Sequence, residues 1–243
     1  MHIPRIYYPA ELPLNTPLLL SKEAHHHLVE VLRLHIGDTV SVFNDTGKEY
    51  IGSLMEVNKR DLKVILKKLV KSNKESPLVL HLIQGISRGE KMDFTLQKAV
   101  ELGVAEITPV FTEYCNVKLT AERLEKRCQH WQKIVIHACE QSGRQKIPVV
   151  KQPLQLKDEL QYCKAGLRLV LDPQATQQLH DLPNKPQTVA ILVGPEGGLS
   201  SVEIEAAQQN GFQLLRLGPR ILRTETAALV ALSCLQARWG DLG

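Results

Sequence analysis

Leu217-Gly218-Pro219-Arg220-Ile221-Leu222-Arg223-Thr224-Glu225-Thr226-Ala227 and an earlier loop, Val193-Gly194-Pro195-Glu196-Gly197-Gly198-Leu199, form a pair from which the fold class follows. Each follows an apolar run that reads as a buried strand, Val189 to Val193 and Phe212 to Leu217, and each leads into a helix. Such corners at the C-terminal ends of strands are where open α/β sheets place ligands. Gly194, Gly197 and Gly198 carry no Cβ, so that loop can bring its backbone close to a ligand. The later loop holds Arg220, Arg223 and Glu225 beside apolar residues, where charge is costly unless it is paired or used. Either loop alone is also ordinary turn chemistry, since Gly-Pro and Gly-Gly punctuate turns and charges often sit at solvated helix starts. The pair carries more weight than either member.

Strand and helix alternate from about residue 77 onward. Leu78 to Ile83, Glu106 to Phe111 and Leu167 to Leu171 read as strands, and Met92 to Leu102 as a helix stopped by Gly103. A long helix begins at Thr120, with Leu124, Cys128, Trp131 and Val135 on one stripe and Arg123, Lys126, Arg127 and Lys133 on its other faces. Those cations, with Arg144 and Lys146 behind them, are either a solvated face or an RNA-binding stripe. Ser200-Ser201-Val202-Glu203 is a capping box that starts the helix after the glycine loop. The last helix, Thr224 to Trp239, is apolar over most of its circumference, which calls for burial by the core and by a second copy. The fold class is therefore α/β with a parallel sheet.

The N-terminal region reads differently. Ser21 caps a short helix to about Leu32, with Leu28, Val31 and Leu32 on one face. Thr39 to Phe43 and Glu49 to Val57 form a hairpin through Asn44-Asp45-Thr46-Gly47, and Asp61 to Val70 adds a strand, as in a small β-barrel. Lys71-Ser72-Asn73-Lys74-Glu75-Ser76-Pro77 is polar, ends in proline and marks the domain boundary. His25-His26-His27 is no metal site, because three consecutive helical residues point in three directions.

Hydrophobic residues make up 43% of the 243 residues and charged residues 23%, enough apolar content to bury a core. The net charge of +4 is compatible with a nucleic-acid partner without requiring one. Five cysteines without a Cys-x-x-Cys spacing indicate neither a disulfide framework nor zinc. No signal segment or membrane span is legible, so the expected location is the cytoplasm.

The two C-terminal motifs together resemble the paired signature of the bacterial 16S ribosomal RNA uracil-N3-methyltransferases, which belong to the SPOUT class of knotted methyltransferases. The resemblance extends to Arg88-Gly89-Glu90-Lys91-Met92-Asp93, to Lys98-Ala99-Val100-Glu101-Leu102-Gly103-Val104 and to Glu140-Gln141-Ser142-Gly143-Arg144. It covers nearly the whole chain, more loosely at the N-terminal end. It implies a PUA-like RNA-binding β-barrel over residues 1–70 and a SPOUT methyltransferase domain over residues 77–243. It also implies a deep C-terminal trefoil knot, a homodimer, and a partner in 16S rRNA or the small ribosomal subunit.

Neither loop has the Lys-Ser/Thr of a phosphate-binding loop or the spacing of a dinucleotide fingerprint, and Glu196 repels phosphate. S-adenosylmethionine, cationic at sulfur, suits the loops better. Leu171, Leu217, Ile221 and Leu222 are candidates to sandwich its adenine. The resemblance carries Leu171, Gly194, Leu217, Gly218, Leu222 and Ala227 over as cofactor neighbours, with Pro195, Glu196, Gly198, Ile221 and Thr224 in the same loops. The sulfonium methyl is already electrophilic, so orienting an in-line attacker supplies much of the catalysis. Uridine N3 must lose a proton to attack. Glu225 and Glu140 are the candidate acceptors, and Arg223 the cation that stabilises the developing negative charge. Glu225 has a second reading, as a simple ion-pair partner of Arg223. Arg5, Arg33, Arg88, Lys91 and Arg144 are the candidate RNA contacts. The target uridine is expected to be flipped, because N3 is occupied in a base pair. Two other readings are a noncatalytic RNA-binding or ribosome-assembly protein, and a small-molecule α/β enzyme that binds another nucleotide.

Overall fold

The computed structural model describes residues 3–58, 61–71, 74–115, 121–182 and 185–243. It divides into two compact units, residues 1–75 with 139–147, and residues 76–138 with 148–243. Thr120, where the long helix was expected to begin, and Ser72-Asn73 of the expected boundary lie outside the described residues.

In the first unit, β1 (Arg5–Tyr7), β2 (Pro17–Leu19), β3 (Thr39–Phe43), β4 (Glu49–Val57) and β5 (Leu62–Leu69) form a sheet in the order β1-β3-β4-β5-β2. β1 runs parallel to β3, and the other pairings are antiparallel. The hairpin is as expected, with Gly47 at φ 75° in its turn. Val40, Val42, Leu54, Leu62, Val64 and Leu66 make the core.

Ser21 caps α1 (Lys22–His25), its Oγ accepting the Ala24 N–H at 3.1 Å. Beyond His25 the coil widens into a π-helix, His26–Val31, in which Leu32 N–H donates to His27 C=O. The i, i+3, i+4 spacing expected for an α-helix no longer traces one face there. Leu28 is fully buried, while Val31 and Leu32 are 58% and 41% exposed. The three histidines diverge: His25 Nε2 meets Asn58 C=O at 2.7 Å, and His26 Nδ1 meets Glu30 at 2.8 Å.

A buried polar network ties residues 139–147 into this unit. The Arg5 guanidinium bonds Glu49 at 2.8 and 3.1 Å and donates to the carbonyls of Cys139, Glu140 and Arg144 at 2.6, 3.1 and 2.8 Å. A cation is favourable beside carbonyls at the C-terminal end of a helix. Ser41 Oγ and Gln145 Nε2 complete the shell around Glu49, at 2.6 and 2.9 Å. Arg144 pairs with Glu75 at 2.7 Å, and the same carboxylate accepts the N–H groups of Gln145 and Lys146. Burial pushes the Glu49 carboxyl up, but the hydrogen bonds from Arg5, Ser41 and Gln145 outweigh it and hold Glu49 below the usual carboxylate range.

The second unit contains β6 (Val79–Gly85), α2 (Glu90–Glu101), β7 (Val104–Phe111), α3 (Ala121–Ser142, whose last turn belongs to the first unit), β8 (Val149–Val150), β9 (Leu154–Gln155), α4 (Leu156–Tyr162), β10 (Leu167–Leu171), β11 (Thr188–Val193), α5 (Ser201–Gln209), β12 (Gln213–Leu215) and α6 (Thr224–Trp239). The sheet order is β12-β10-β11-β6-β7-β8, with β9 also pairing β7, and every pairing is parallel. Both faces are covered, which is why the strands read as continuous apolar runs. On β11, Ala190 and Leu192 pack with Leu156, Leu160, Ala207 and Phe212 of the α4–α5 side. Val189 and Ile191, of the opposite parity, are also fully buried. α2 and α6 pack on each other, and α6 reaches β6 and β11.

α4 was not anticipated at all. α6 is buried along one face only, through Thr224, Ala228, Ala231, Leu232, Leu235, Gln236 and Trp239. Leu229, Val230, Ser233 and Cys234 are only half-buried. The capping box of α5 is present, with Ser200 Oγ accepting the Glu203 N–H and Glu203 accepting the Ser200 N–H. Among the described residues, no helix is long and apolar enough to cross a membrane.

Candidate active site

Three loops follow the C-terminal ends of the neighbouring strands β11, β10 and β12, and they line one cleft of about 900 Å3 in the second unit. Leu171 to Gln174 follow β10, Gly194 to Leu199 follow β11, and Arg216 to Thr224 follow β12. Lys91 and Ala227 add to the wall. The two glycine-bearing corners therefore meet, in the crevice where a parallel sheet exposes the ends of its strands.

The corners are bonded to each other. Thr224 Oγ1 donates to Gly194 C=O at 2.6 Å. Gly198 N–H closes a turn onto Pro195 C=O at 2.9 Å, with Gly198 at φ 76°. Gly218, at φ 97°, turns the later loop. The segment Gly194-Pro195 crosses directly over Gly85: a Cβ on Gly85 would lie 2.5 Å from both Pro195 N and Pro195 Cδ. Gly85→Ala is therefore expected to push the loop outward. We expect a loss of about 1–3 kcal/mol in stability and of about tenfold in ligand affinity at the cleft, read by thermal unfolding and calorimetry. A variant that binds and unfolds like the wild type would show that the loop yields without consequence.

Glu196 faces the loop after β6 rather than the cleft alone. It accepts the Arg88 N–H at 3.2 Å and sits 3.5 Å from Lys91 Nζ. Burial raises its pKa, but those hydrogen bonds and the Lys91 cation prevail and hold it below the usual carboxylate range. An ionised Glu196 makes the cleft unwelcoming to phosphate and tolerant of a cation.

All eleven expected cofactor neighbours line the cleft: Leu171, Gly194, Pro195, Glu196, Gly198, Leu217, Gly218, Ile221, Leu222, Thr224 and Ala227. Ile221 is 86% exposed, an apolar side chain left at the rim. Arg223 also lines the cleft, at the N-cap of α6. No ion pair joins Arg223 to Glu225, whose Oε2 is buried with no hydrogen-bond partner. The simple pairing of Glu225 with Arg223 is thereby set aside. Glu140 belongs to the first unit, where its Oε1 accepts the Tyr7 N–H at 2.9 Å.

The expected RNA cations divide. Arg33 and Arg88 are exposed and Lys91 is half-buried. Arg5 and Arg144 are instead buried, with side chains 9% and 7% exposed, and are committed to Glu49 and Glu75. On the proposed stripe of α3, Lys126 pairs with Glu122 at 2.7 Å and Arg127 lies 5.9 Å over the Trp131 ring. Sequence reasoning missed Pro173, Gln174, Ser201 and Ile204 as lining residues.

Among the described residues, one group could hold a metal. Donor atoms of His81, Glu159 and Cys163 lie within 4.8 Å of one another. Lys151 Nζ, 2.6 Å from Glu106, already brings a positive charge to this cluster. Burial drives the His81 pKa down to about 4, so its ring is neutral at pH 7.

Comparison with known proteins gives the class first. A family model described as an RNA methyltransferase domain matches residues 74–236, and one described as an RNA methyltransferase PUA domain matches residues 20–67. The fold is that of an RNA methyltransferase with a PUA domain. Ribosomal RNA small subunit methyltransferase E of Buchnera aphidicola (strain Sg) is 43% identical, with 99% of this chain and 98% of that protein covered. The protein of the same name from Bacillus subtilis is 31% identical, with 89% and 88% covered. A methyltransferase from Legionella pneumophila, in complex with the bound cofactor SAM, superposes with a TM-score of 0.97 at 45% identity over 100% of both chains. Ribosomal RNA small subunit methyltransferase E from Neisseria gonorrhoeae, bound to S-adenosyl methionine, superposes with a TM-score of 0.94 at 38% identity over 100% of both chains. This chain belongs to the ribosomal RNA small subunit methyltransferase E family.

Proposed function

We propose that this protein transfers the methyl group of S-adenosylmethionine to N3 of a specific uridine of 16S rRNA, within the small ribosomal subunit. The observation that carries this reading is the meeting of the β10, β11 and β12 loops in one cleft, in a fold whose relatives from Legionella pneumophila and Neisseria gonorrhoeae hold SAM.

The donor occupies the cleft. Leu171, Leu217 and Leu222 flank its adenine, and backbone groups of the Gly194 and Gly218 turns read its edge. Arg223 stands at the rim as the cation for negative charge developing on the uracil carbonyls, and Glu225 is the proton acceptor on the same helix turn. Glu225 is supported by its unpartnered buried oxygen. Glu140, already bonded to Tyr7, is the weaker candidate. The chemistry balances simply: N3 gives its proton to the carboxylate, its electron pair forms the N–CH3 bond, and the C–S bond electrons return to sulfur as S-adenosylhomocysteine leaves. RNA contacts fall to Arg33, Arg88 and Lys91, while Arg5 and Arg144 hold residues 139–147 in place.

The N-terminal region, residues 1–70, serves as the RNA-binding module and residues 77–243 as the methyltransferase, working in the cytoplasm. The half-buried side of α6, with Val230 and Cys234 beside a smaller groove against Leu217 and Gly218, supports a homodimer packed on that helix. β12 comes late in the sequence yet lies beside β10 at the sheet edge, and α6 returns to β6 and β11. That path supports the trefoil threading of the SPOUT class.

The test has two arms. Calorimetry is expected to show binding of S-adenosylmethionine and none of ATP. Incubation with small subunits lacking the mark, followed by mass mapping of nucleosides, is expected to yield 3-methyluridine. Binding of RNA without methyl incorporation would return the protein to the noncatalytic ribosome-assembly reading.

A further inference from the structure

Gln84 does not line the cleft, yet its amide is bonded to the hydroxyl that joins the cleft's two glycine corners. It sits near the end of β6, fully buried. Its Nε2 donates to Gly85 C=O at 3.1 Å and to Thr224 Oγ1 at 3.0 Å. A carbonyl can only accept, so the Gly85 contact fixes which end of the amide faces Thr224. Having accepted that bond, the Thr224 hydroxyl spends its own proton on Gly194 C=O at 2.6 Å. Each link of this relay has a defined direction. It joins the β6 strand end, the β11 loop and the first turn of α6. Gln84 Oε1 has no partner, so a wholly buried polar side chain is kept here for the bonds of its amide nitrogen alone.

We infer that Gln84 is a positioning residue for the methyl donor: by orienting the Thr224 hydroxyl toward Gly194 it sets the separation of the two loops that grip the ligand. This rests on the cleft being the donor site. Geometry at such a site is required to within a fraction of an ångström, and residues that never touch the ligand supply it. The sequence gives a reason for the amide in particular. A glutamate at this position cannot donate. It would draw the Thr224 proton to itself and release Gly194.

The test uses Gln84→Met, which keeps length and volume but removes the donor, and Thr224→Val, which keeps shape but removes the relay. Gln84→Met is expected to raise Kd and KM for S-adenosylmethionine about tenfold. At saturating donor its kcat should stay within about threefold of wild type. The double variant should bind no more weakly than the weaker single one, because both changes cut the same chain of bonds. Leu82→Val, a fully buried position on the same strand, is the control for loosened packing. It is expected to lower Tm while leaving Kd unchanged. If Gln84→Met does not fold, Gln84→Leu takes its place against Leu82→Val, because Thr224 itself lines the cleft. Wild-type affinity in the relay variants, or a rise in Kd that tracks Tm equally in Leu82→Val, would overturn the inference. Failure of the wild type to bind S-adenosylmethionine would instead overturn the reading of the cleft.

Discussion

Replacing Arg223 by alanine is expected to lower kcat by about 10²–10³-fold while leaving the Kd for S-adenosylmethionine within about threefold of wild type. Arg223 sits at the N-cap of α6, lines the cleft, and is exposed at its rim. It makes no ion pair with the neighbouring Glu225, so its charge is not consumed within the loop. When N3 of uracil loses its proton, the charge spreads onto the flanking carbonyl oxygens. A guanidinium placed against them stabilises the transition state more than the neutral ground state, and only such differential binding raises kcat. Arg223→Lys keeps the charge but not the planar fork, and is expected to recover part of the rate. Single-turnover methylation of small subunits with donor calorimetry separates the two quantities. Unchanged turnover in Arg223→Ala would remove this residue from the mechanism.

The second large effect is on stability. Glu49→Ala is expected to destabilise the protein by about 3–5 kcal/mol, because it strands the Arg5 guanidinium in a buried site. The Arg5 and Glu49 side chains are only 9% and 8% exposed. Arg5 would keep its bonds to the carbonyls of Cys139, Glu140 and Arg144 but lose its counter-charge. The same pair sets a pH dependence. The Glu49 pKa in the folded protein lies below the value of 4.5 it has in an unfolded chain. Its stabilisation is therefore complete above that value. It is lost as pH falls from there through the lower, folded pKa. Urea unfolding of wild type and Glu49→Gln across that range measures the effect. Equal acid sensitivity in both would show that other carboxylates govern it.

Much of this molecule was legible in its residues because most of its elements state their limits locally. β10 and α6 were read to the residue, and the capping box of α5 needed only Ser200 and Glu203. The cleft was readable because its glycines and charges interrupt apolar runs at strand ends. The failures arise where the deciding signal is brief or lies far away in sequence. α4 is only seven residues long, and its apolar signal is the trio Leu156, Leu160 and Cys163, too brief for periodicity to register. The short helix after Ser21 turned π at His26, and no composition rule marks that change. Arg5 and Arg144 looked like RNA contacts because charge alone does not reveal burial. Their partners Glu49 and Glu75 stand 44 and 69 residues away in sequence. Gln84 stayed invisible for the same reason, with Thr224 140 residues distant.

The order of the strands has a consequence for how the enzyme comes into being. The cleft is lined by segments from Lys91 to Ala227, and its last wall follows β12. A nascent chain can fold its barrel and pair β6 with β7 long before that wall is made. Until it is, there is no pocket for the donor to occupy. Ligand binding thus selects finished molecules over partial ones, and by mass action it stabilises only those.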